Sequence, residues 1–198
     1  MQDFNDYGAQ ASRTQITENA GRMPAFPAKP EGFAITSDAL IFRHSLNSGG
    51  EQTVRRITES TGFFTADEVN IAEELAREHL EKGAEGSGYY FAAALTDGEI
   101  VGYSCYGLIP CSDYSYDLYW IVTDAKHRGK GFGKRLLRET ERLIAASGGK
   151  NVYAETSSTP LYAPTRAFYE HGGYIKEAVL KDFYRPGDDK VFYSKKLA

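Results

Sequence analysis

Apolar residues in the segment 65–83 recur at the spacing of one face of an α-helix. Thr65 and Glu68 match a capping box, in which each side chain accepts a hydrogen bond from a free N–H of the first turn. Gly83 follows the last apolar residue, and glycine commonly ends helices because it adopts the left-handed backbone conformation. The pattern therefore predicts a helix over residues 65–83.

Three other segments carry helix signals. Leucine and isoleucine side chains of 134–147 fall on one helical face, and two glycines follow that segment. A short helix is predicted over 48–62, which ends at a glycine, and another over 164–173, which begins with a proline. These segments make four predicted helices, each with an apolar side that needs a partner surface.

Runs of apolar and aromatic residues between turn residues predict the strands. Residues 89–109 contain Asp97-Gly98 at their centre, a dipeptide typical of tight hairpin turns, so two antiparallel strands are predicted there. The other predicted strands are 39–46, 116–124, 151–156, 174–180 and 189–197. The order β α α β β β α β α β β indicates an α/β fold, in which a mixed sheet has helices on both faces.

The first 33 residues differ from the rest of the chain. Ile16 is the only leucine, isoleucine or valine in residues 1–31, and three prolines cluster near the end of that range. Such a segment buries little surface. We therefore predict a tail or surface strap over 1–33, and a single folded domain over 34–198.

Net charge and residue types exclude several classes of function. The chain of 198 residues carries a net charge of −4, which argues against broad attraction to nucleic acid or anionic membranes. No secretory signal and no apolar run of about 20 residues is visible, so a cytoplasmic protein is predicted. The four histidines and two cysteines lack zinc spacing, so no metal site is predicted.

HRGKGFG (127–133) places glycines at alternate positions directly before a predicted helix. The Walker and dinucleotide motifs both fail on its spacing, because Lys134 and the arginine after it stand where those motifs need other residues. The pattern [RQ]-x-x-G-x-[GA] fits Arg128, Gly131 and Gly133. Such a loop can cradle a pyrophosphate, since glycines allow close approach and a helix N-terminus offers free N–H groups. A basic loop at a helix start is the alternative interpretation.

Two stretches, YDLYWIVTDAKHRGKGFGKRLL (116–137) and TRAFYEHGGY (165–174), resemble the GNAT (Gcn5-related N-acetyltransferase) superfamily. The first is similar to that family's strand, pyrophosphate loop and helix for acetyl-CoA, and the second to its A-x-x-FY-x-x-x-G-[FY] helix. The resemblance covers about 39–197 in element order. It implies a GNAT-like mixed, mostly antiparallel twisted sheet, and acetyl transfer from the co-substrate acetyl-CoA to an amine.

The resemblance also implies positions for the cofactor. Strand backbone at Ile121, Val122 and Thr123 would meet pantetheine beside a bulge that separates two strands. The pyrophosphate would lie against Arg128, Gly129, Lys130, Gly131, Phe132, Gly133 and Lys134. Tyr162 stands where many family members have an asparagine that bonds the cofactor, so that contact is lost, replaced by the phenol or supplied by a neighbouring hydroxyl.

Two residues are predicted to transfer protons. Asp117 stands where some family members have a glutamate that acts as general base, and it would deprotonate the amine, through water more readily than directly. Tyr169 lies where the family places a tyrosine near the thioester sulfur, and a phenol can protonate the departing thiolate. The competing interpretations are an ordinary strand-edge acid for Asp117 and a core aromatic residue for Tyr169.

The acceptor is not identified by the sequence. Residues 110–117 and 182–189 mix acids with tyrosines, which suits a cationic amine, whereas Arg166 and Arg185 would suit the carboxylate of an amino acid. We predict a small-molecule amine or amino acid as the acceptor, and we leave a homodimer open. The alternatives are a non-catalytic acyl-CoA sensor and an acetyltransferase of protein N-termini or lysines.

Overall fold

The computed structural model describes residues 40–197. The predicted extension over 1–33 and the predicted start of the domain at residue 34 lie outside the described residues. Within them, the predicted α/β class and the order of elements are confirmed.

Four helices form where the apolar spacing predicts them: α1 (Gly50–Ser60), α2 (Ala66–Ser87), α3 (Phe132–Ala146) and α4 (Ala163–His171). The capping box of α2 is confirmed, because the Glu68 N–H donates to Thr65 Oγ1 and the Thr65 N–H donates to Glu68 Oε2. The helical backbone breaks at Gly83, as predicted, with φ 73° and ψ 170°. A further helical turn that the sequence did not predict follows this kink and ends at Ser87, with Gly88 as its left-handed cap.

Seven strands form one sheet: β1 (Ile41–Arg43), β2 (Tyr90–Thr96), β3 (Glu99–Leu108), β4 (Ser115–Thr123), β5 (Asn151–Ser157), β6 (Ile175–Arg185) and β7 (Asp188–Lys196). The strand order is β1-β2-β3-β4-β5-β7-β6, and the β4–β5 pair is parallel while the others are antiparallel. Asp97 and Gly98 both have positive φ, which confirms the predicted β2–β3 hairpin. The sequence places β1 at 39–46 and ends β6 at 180, so it makes β1 too long and β6 too short.

The helices cover opposite faces of the sheet, as predicted. On one face, α3 and α4 pack against the sheet through Leu136, Leu137, Leu143, Ile144 and Tyr169. On the other face, α1 and α2 cover β2, β3 and β4 through Val54, Ile57, Ala72 and Ala76. Burial of one leucine or isoleucine side chain contributes about 1.5–3 kcal/mol to the free energy of folding, so both helix layers stabilise the sheet.

A gap opens between β4 and β5 in the middle of the sheet. The two strands pair only from Ser115 to Asp117 on β4, and no residue of β4 beyond Asp117 pairs with β5. Next to this point β4 has a bulge, since Tyr106 pairs with Leu118 and Cys105 with Trp120. The extra residue, Tyr119, faces the α1–α2 side. A strand separation beside a bulge is what the family resemblance implies.

Candidate active site

The loop between β4 and α3 presents free backbone donors. Gly129 and Gly131 have φ values of 76° and 78°, in the left-handed region that glycine adopts without strain. None of the backbone N–H groups from Gly129 to Lys134 donates a hydrogen bond to an acceptor within residues 40–197, and no side chain caps the N-terminus of α3. A Cβ at Gly133 would lie 3.3 Å from Thr123 Oγ1, so a larger residue there would fit only if the Thr123 side chain moved by a few tenths of an ångström. The loop therefore has the geometry of an anion site at a helix N-terminus.

Side chains of this loop have different surroundings. Lys130 and Lys134 are exposed, and Phe132 stacks on His127 with ring centroids 6.1 Å apart. Arg128 donates from Nη2 to the Thr61 carbonyl at 3.0 Å, so its guanidinium is bound to the turn between α1 and α2. The backbone and the two lysines thus remain available to phosphate oxygens.

The turn between α1 and α2 also receives Tyr162. The Tyr162 hydroxyl donates to the Phe63 carbonyl at 3.3 Å, and the two rings meet edge to face. The guanidinium of Arg128 lies 4.7 Å from the centroid of the same Phe63 ring. Phe63 therefore joins the predicted cofactor loop to the segment before α4, and a cofactor contact of Tyr162 stays a prediction.

Ile121, Val122 and Thr123 follow the bulge on β4. On one side they pair with Ser104, Tyr103 and Gly102 of β3. On the other side they border the gap, where β5 has diverged. Their backbone is thus placed where an extended ligand can pair with it, as the resemblance implies for pantetheine.

Asp117 is the last residue of β4 that pairs with β5, so its carboxyl lies at the closed end of the gap. It has no hydrogen-bond or ion-pair partner among residues 40–197. The pKa of this carboxyl is raised to about 6, chiefly by burial; the neighbouring Glu155 carboxylate adds to the rise, and Lys190 opposes it. An unpaired, half-buried carboxyl with such a pKa can accept a proton near neutral pH.

Aromatic and charged residues around Asp117 complete this face of the sheet. Tyr119 lies edge to face with Tyr89 at 5.6 Å, and Trp120 with Phe64 at 4.9 Å. On β5 and β7, Glu155 pairs with Lys190 at 2.9 Å. Lys190 Nζ also lies 3.8 Å from the centroid of the Phe183 ring. Apart from the general mention of tyrosines and acids in the loops, sequence reasoning missed these residues, because they come from separate strands.

Tyr169 lies on the opposite face of the sheet from Asp117. It is buried in the α3–α4 core, and its ring packs against Phe168, Tyr174 and Tyr193. Its hydroxyl has no hydrogen-bond partner among the described residues, and burial raises its pKa above the ordinary value. The phenol is therefore neutral and can donate a hydrogen bond, and burial makes it a weaker acid than a free tyrosine. The structure does not bring it into contact with Asp117, because the two residues lie on opposite faces of the sheet.

The two arginines that would hold a substrate carboxylate bind the protein itself. Arg166 donates from Nη1 to the carbonyls of Ser157 and Thr159, at 2.7 and 2.9 Å. Arg185 pairs with Asp188 at 3.2 Å. Arg166 is therefore held by the protein's own backbone, whereas Arg185 is 71% exposed and can still contact a second carboxylate.

The remaining candidate features lie away from the gap. The turn at 110–114 is at the far end of the β4–β5 pair, where the Tyr114 carbonyl accepts from the Lys150 N–H. Cys105 is buried, which raises the pKa of its thiol, and Cys111 is exposed on that turn. Within residues 40–197 no three His, Cys, Asp or Glu side chains are grouped as metal ligands. No helix in the same range is long and apolar enough to cross a membrane.

Comparison with known proteins gives one family. The model of the acetyltransferase (GNAT) family matches residues 54–174. A solved structure from Desulfovibrio desulfuricans, assigned to the GNAT family of acetyltransferases, is 46% identical, with TM-score 0.79 over 81% of this chain and 100% of that chain. No curated protein matches the chain at a significant level.

More distant solved structures share the fold. An aminoglycoside 6′-N-acetyltransferase complexed with coenzyme A is 19% identical, with TM-score 0.61 over 79% of this chain and 96% of that chain. The ribosomal-protein-S18-alanine N-acetyltransferase from Escherichia coli is 14% identical, with TM-score 0.63 over 81% of this chain and 95% of that chain. Their acceptors differ, so the shared fold leaves the acceptor open.

Proposed function

The chain belongs to the acetyltransferase (GNAT) family and is an acetyl-CoA-dependent N-acetyltransferase, and we propose that it acetylates the primary amine of a small molecule or amino acid by direct attack in a ternary complex. The observation that carries the proposal is Asp117. Its carboxyl is unpaired, half-buried and placed where β4 and β5 separate.

The residues present fit acetyl-CoA at the gap. The free N–H groups from Gly129 to Lys134 and the two exposed lysines would hold the pyrophosphate, and the β4 backbone at Ile121–Thr123 would hold pantetheine. When bound, acetyl-CoA supplies the activated acetyl group as a thioester. The glycines at 129 and 131 keep side chains out of the space before α3, where the pyrophosphate would lie.

Asp117 is proposed to be the base that removes a proton from the acceptor amine. An alkyl amine has a pKa of about 10.4 and is protonated at neutral pH, so it must lose a proton before it can attack. With a pKa of about 6, Asp117 is ionised at pH 7 and is a stronger base than an ordinary aspartate. We propose that Asp117 takes this proton, directly or through one water.

Tyr169 is proposed to act on the leaving group from the other face. The departing thiolate resembles that of cysteine, with a pKa of about 8.5, and needs a proton donor. A neutral phenol that has no protein acceptor is free to donate to it. The gap would thus separate a proton acceptor on the α1–α2 face from a proton donor on the α3–α4 face.

The surroundings of Asp117 favour a cationic acceptor. Asp117 and Glu155 are acidic, and Tyr89, Tyr119 and Trp120 present aromatic surfaces on the same face. Of the two arginines that would recognise a carboxylate, Arg166 is bound to the protein's own carbonyls, and Arg185 pairs with Asp188 but stays exposed. We therefore favour a cationic amine, with an amino acid bound at Arg185 as the second candidate.

A screen of amines for thiol release from acetyl-CoA tests the proposal. We expect one class of cationic amines to accelerate thiol release, and Asp117→Asn to lower kcat by about 10²-fold for that class. Asp113→Asn is the matched control, since Asp113 is an exposed aspartate of the preceding turn. Acetyl-CoA binding without turnover of any amine would favour a sensor, and turnover of peptides alone would favour a protein acetyltransferase.

A further inference from the structure

Strand β6 is exposed along its whole length. Among residues 40–197 it lies at the edge of the sheet and pairs only with β7, and all of its residues from Ile175 to Arg185 are solvent-exposed. Five of them carry large apolar or aromatic side chains, with exposed fractions between 38% and 67%: Ile175, Val179, Leu180, Phe183 and Tyr184. An edge strand of this length and composition is a template for pairing with another strand.

The opposite edge of the sheet is different. There β1 has only three residues, Ile41 to Arg43, and such a short strand offers little pairing surface. The two edges of the described sheet are therefore unequal. The long apolar edge is at β6, so a strand from another molecule would pair with β6 and not with β1.

The sequence of β6 is complementary to itself when read antiparallel. With Val179 opposite its own copy, Glu177 faces Lys181. Apolar residues also face one another in this register, with Ala178 opposite Leu180. Opposite charges and apolar pairs directly across two strands each stabilise the pairing, and two-fold symmetry makes every unlike pair occur twice.

We propose that the outer edge of β6 pairs antiparallel with β6 of a second copy of this chain, about a two-fold axis at Val179. The result is a homodimer with a sheet that continues from one subunit into the other. The dimer buries the exposed apolar side chains of β6 and bonds its free edge N–H and C=O groups.

The backbone of β6 limits this register to its central residues, 177–181. The pairing of β6 with β7 is regular from Ala178 to Leu180 and shifts on either side, and Asp182 has a φ of 51° that interrupts the extended strand. Lys181 also pairs with Asp189 of its own chain at 2.9 Å, but its side chain is 79% exposed. An exposed pair of this kind contributes about 0–1 kcal/mol, so Lys181 is able to interact with a second carboxylate.

A charge reversal and its compensation test the register. Sedimentation velocity of the full chain over a wide concentration range should show a dimer. Glu177→Lys places like charges opposite each other twice, and should raise the dimer Kd by at least about tenfold. The double variant Glu177→Lys with Lys181→Glu restores both pairs in inverted order, and should restore the dimer.

An apolar pair of variants gives an independent control. Val179→Lys introduces a charge at the proposed axis and should abolish the dimer. Ile71→Lys is matched, since Ile71 on α2 is 40% exposed and Val179 is 38% exposed, and should leave the dimer intact. Circular dichroism and acetyl-CoA binding report whether each variant is folded.

Three results would overturn the proposal. The first is a full chain that stays monomeric at every concentration. If the β6 amides of that monomer also resist hydrogen exchange, another part of the same chain covers the strand, and the proposal is overturned as well. The second is a dimer that survives both Glu177→Lys and Val179→Lys. The third is a double charge variant that stays as monomeric as Glu177→Lys.

Discussion

Replacing Asp117 by asparagine should make the protein more stable and less active. In the folded protein, burial raises the pKa of Asp117 from its ordinary value of 3.8 to about 6. The ionised carboxylate is thus less favourable in the folded chain than in the unfolded chain. Asparagine has the same shape and no charge, so Asp117→Asn removes this cost.

The size of the effect follows from the two pKa values. Each pKa unit corresponds to about 1.4 kcal/mol, so the full difference is about 3 kcal/mol. Water reaches part of this side chain and screens it, and we therefore expect a gain of about 1–3 kcal/mol. For a domain of this size, such a gain raises the urea midpoint by about 1 M.

The gain should depend on pH with a definite sign. Above pH 6 the carboxyl is ionised in both the folded and the unfolded chain, so the full cost is present and the variant has its full advantage. Below the ordinary pKa of 3.8 the carboxyl is protonated in both states, and the advantage disappears. The advantage of the variant therefore declines as the pH falls from 6 to 4.

Urea denaturation of wild type and Asp117→Asn at several pH values measures the difference in their free energies of unfolding. Asp113→Asn, at an exposed aspartate, is the control and should change stability little at any pH. Equal stability of wild type and Asp117→Asn at pH 8 would refute the reasoning. A gain that is the same at pH 8 and pH 4 would refute it too, since the charge would then not be its cause.

Three further substitutions, one of them with a matched control, test other parts of the site. Tyr169→Phe keeps the buried ring, so the free energy of unfolding should change by less than about 1.5 kcal/mol while kcat falls about 10²-fold; an unchanged kcat would leave Tyr169 a core residue. Gly131→Ala and its control Gly148→Ala both place a side chain at positive φ without a clash, so each should lower the free energy of unfolding by about 1 kcal/mol. Only Gly131→Ala should also weaken acetyl-CoA binding, as measured by calorimetry. Gly107→Ala places a Cβ 3.1 Å from the Tyr119 ring and closer still to a backbone carbonyl, so it should destabilise by about 1–3 kcal/mol and raise KM for the amine; wild-type values of both would contradict this packing.

Local signals in the sequence predicted the elements that depend on local contacts. The capping box at Thr65 and the Asp97-Gly98 turn each depend on residues that lie within a few positions of one another in the sequence. Both can therefore be predicted without knowledge of the fold. Gly83 is a local signal of the same kind, since the helical backbone breaks at this residue, although one further turn follows it up to Ser87. The turn-forming Pro186 and Gly187 do mark the β6–β7 turn, since Arg185 pairs with Asp188, but β6 continues to Arg185 and not only to residue 180 as predicted.

Contacts between distant residues could not be predicted in the same way. Tyr162 reaches Phe63, which is 99 positions away in sequence. Asp117 was found through its position relative to the family motif, but its neighbours Glu155 and Lys190 come from β5 and β7. No local pattern links such residues, because their proximity is set by strand order and register.

The pH dependence of kcat/KM for the best amine tests the central claim most directly, when wild type and Asp117→Asn are compared. If Asp117 accepts the proton of the ammonium, wild-type kcat/KM should be level between about pH 6 and the pKa of the amine, and should fall below pH 6. In Asp117→Asn the reaction depends on free amine alone, so kcat/KM should rise about tenfold per pH unit across that range. Profiles of the same shape in both proteins would contradict the assignment of Asp117 as the general base.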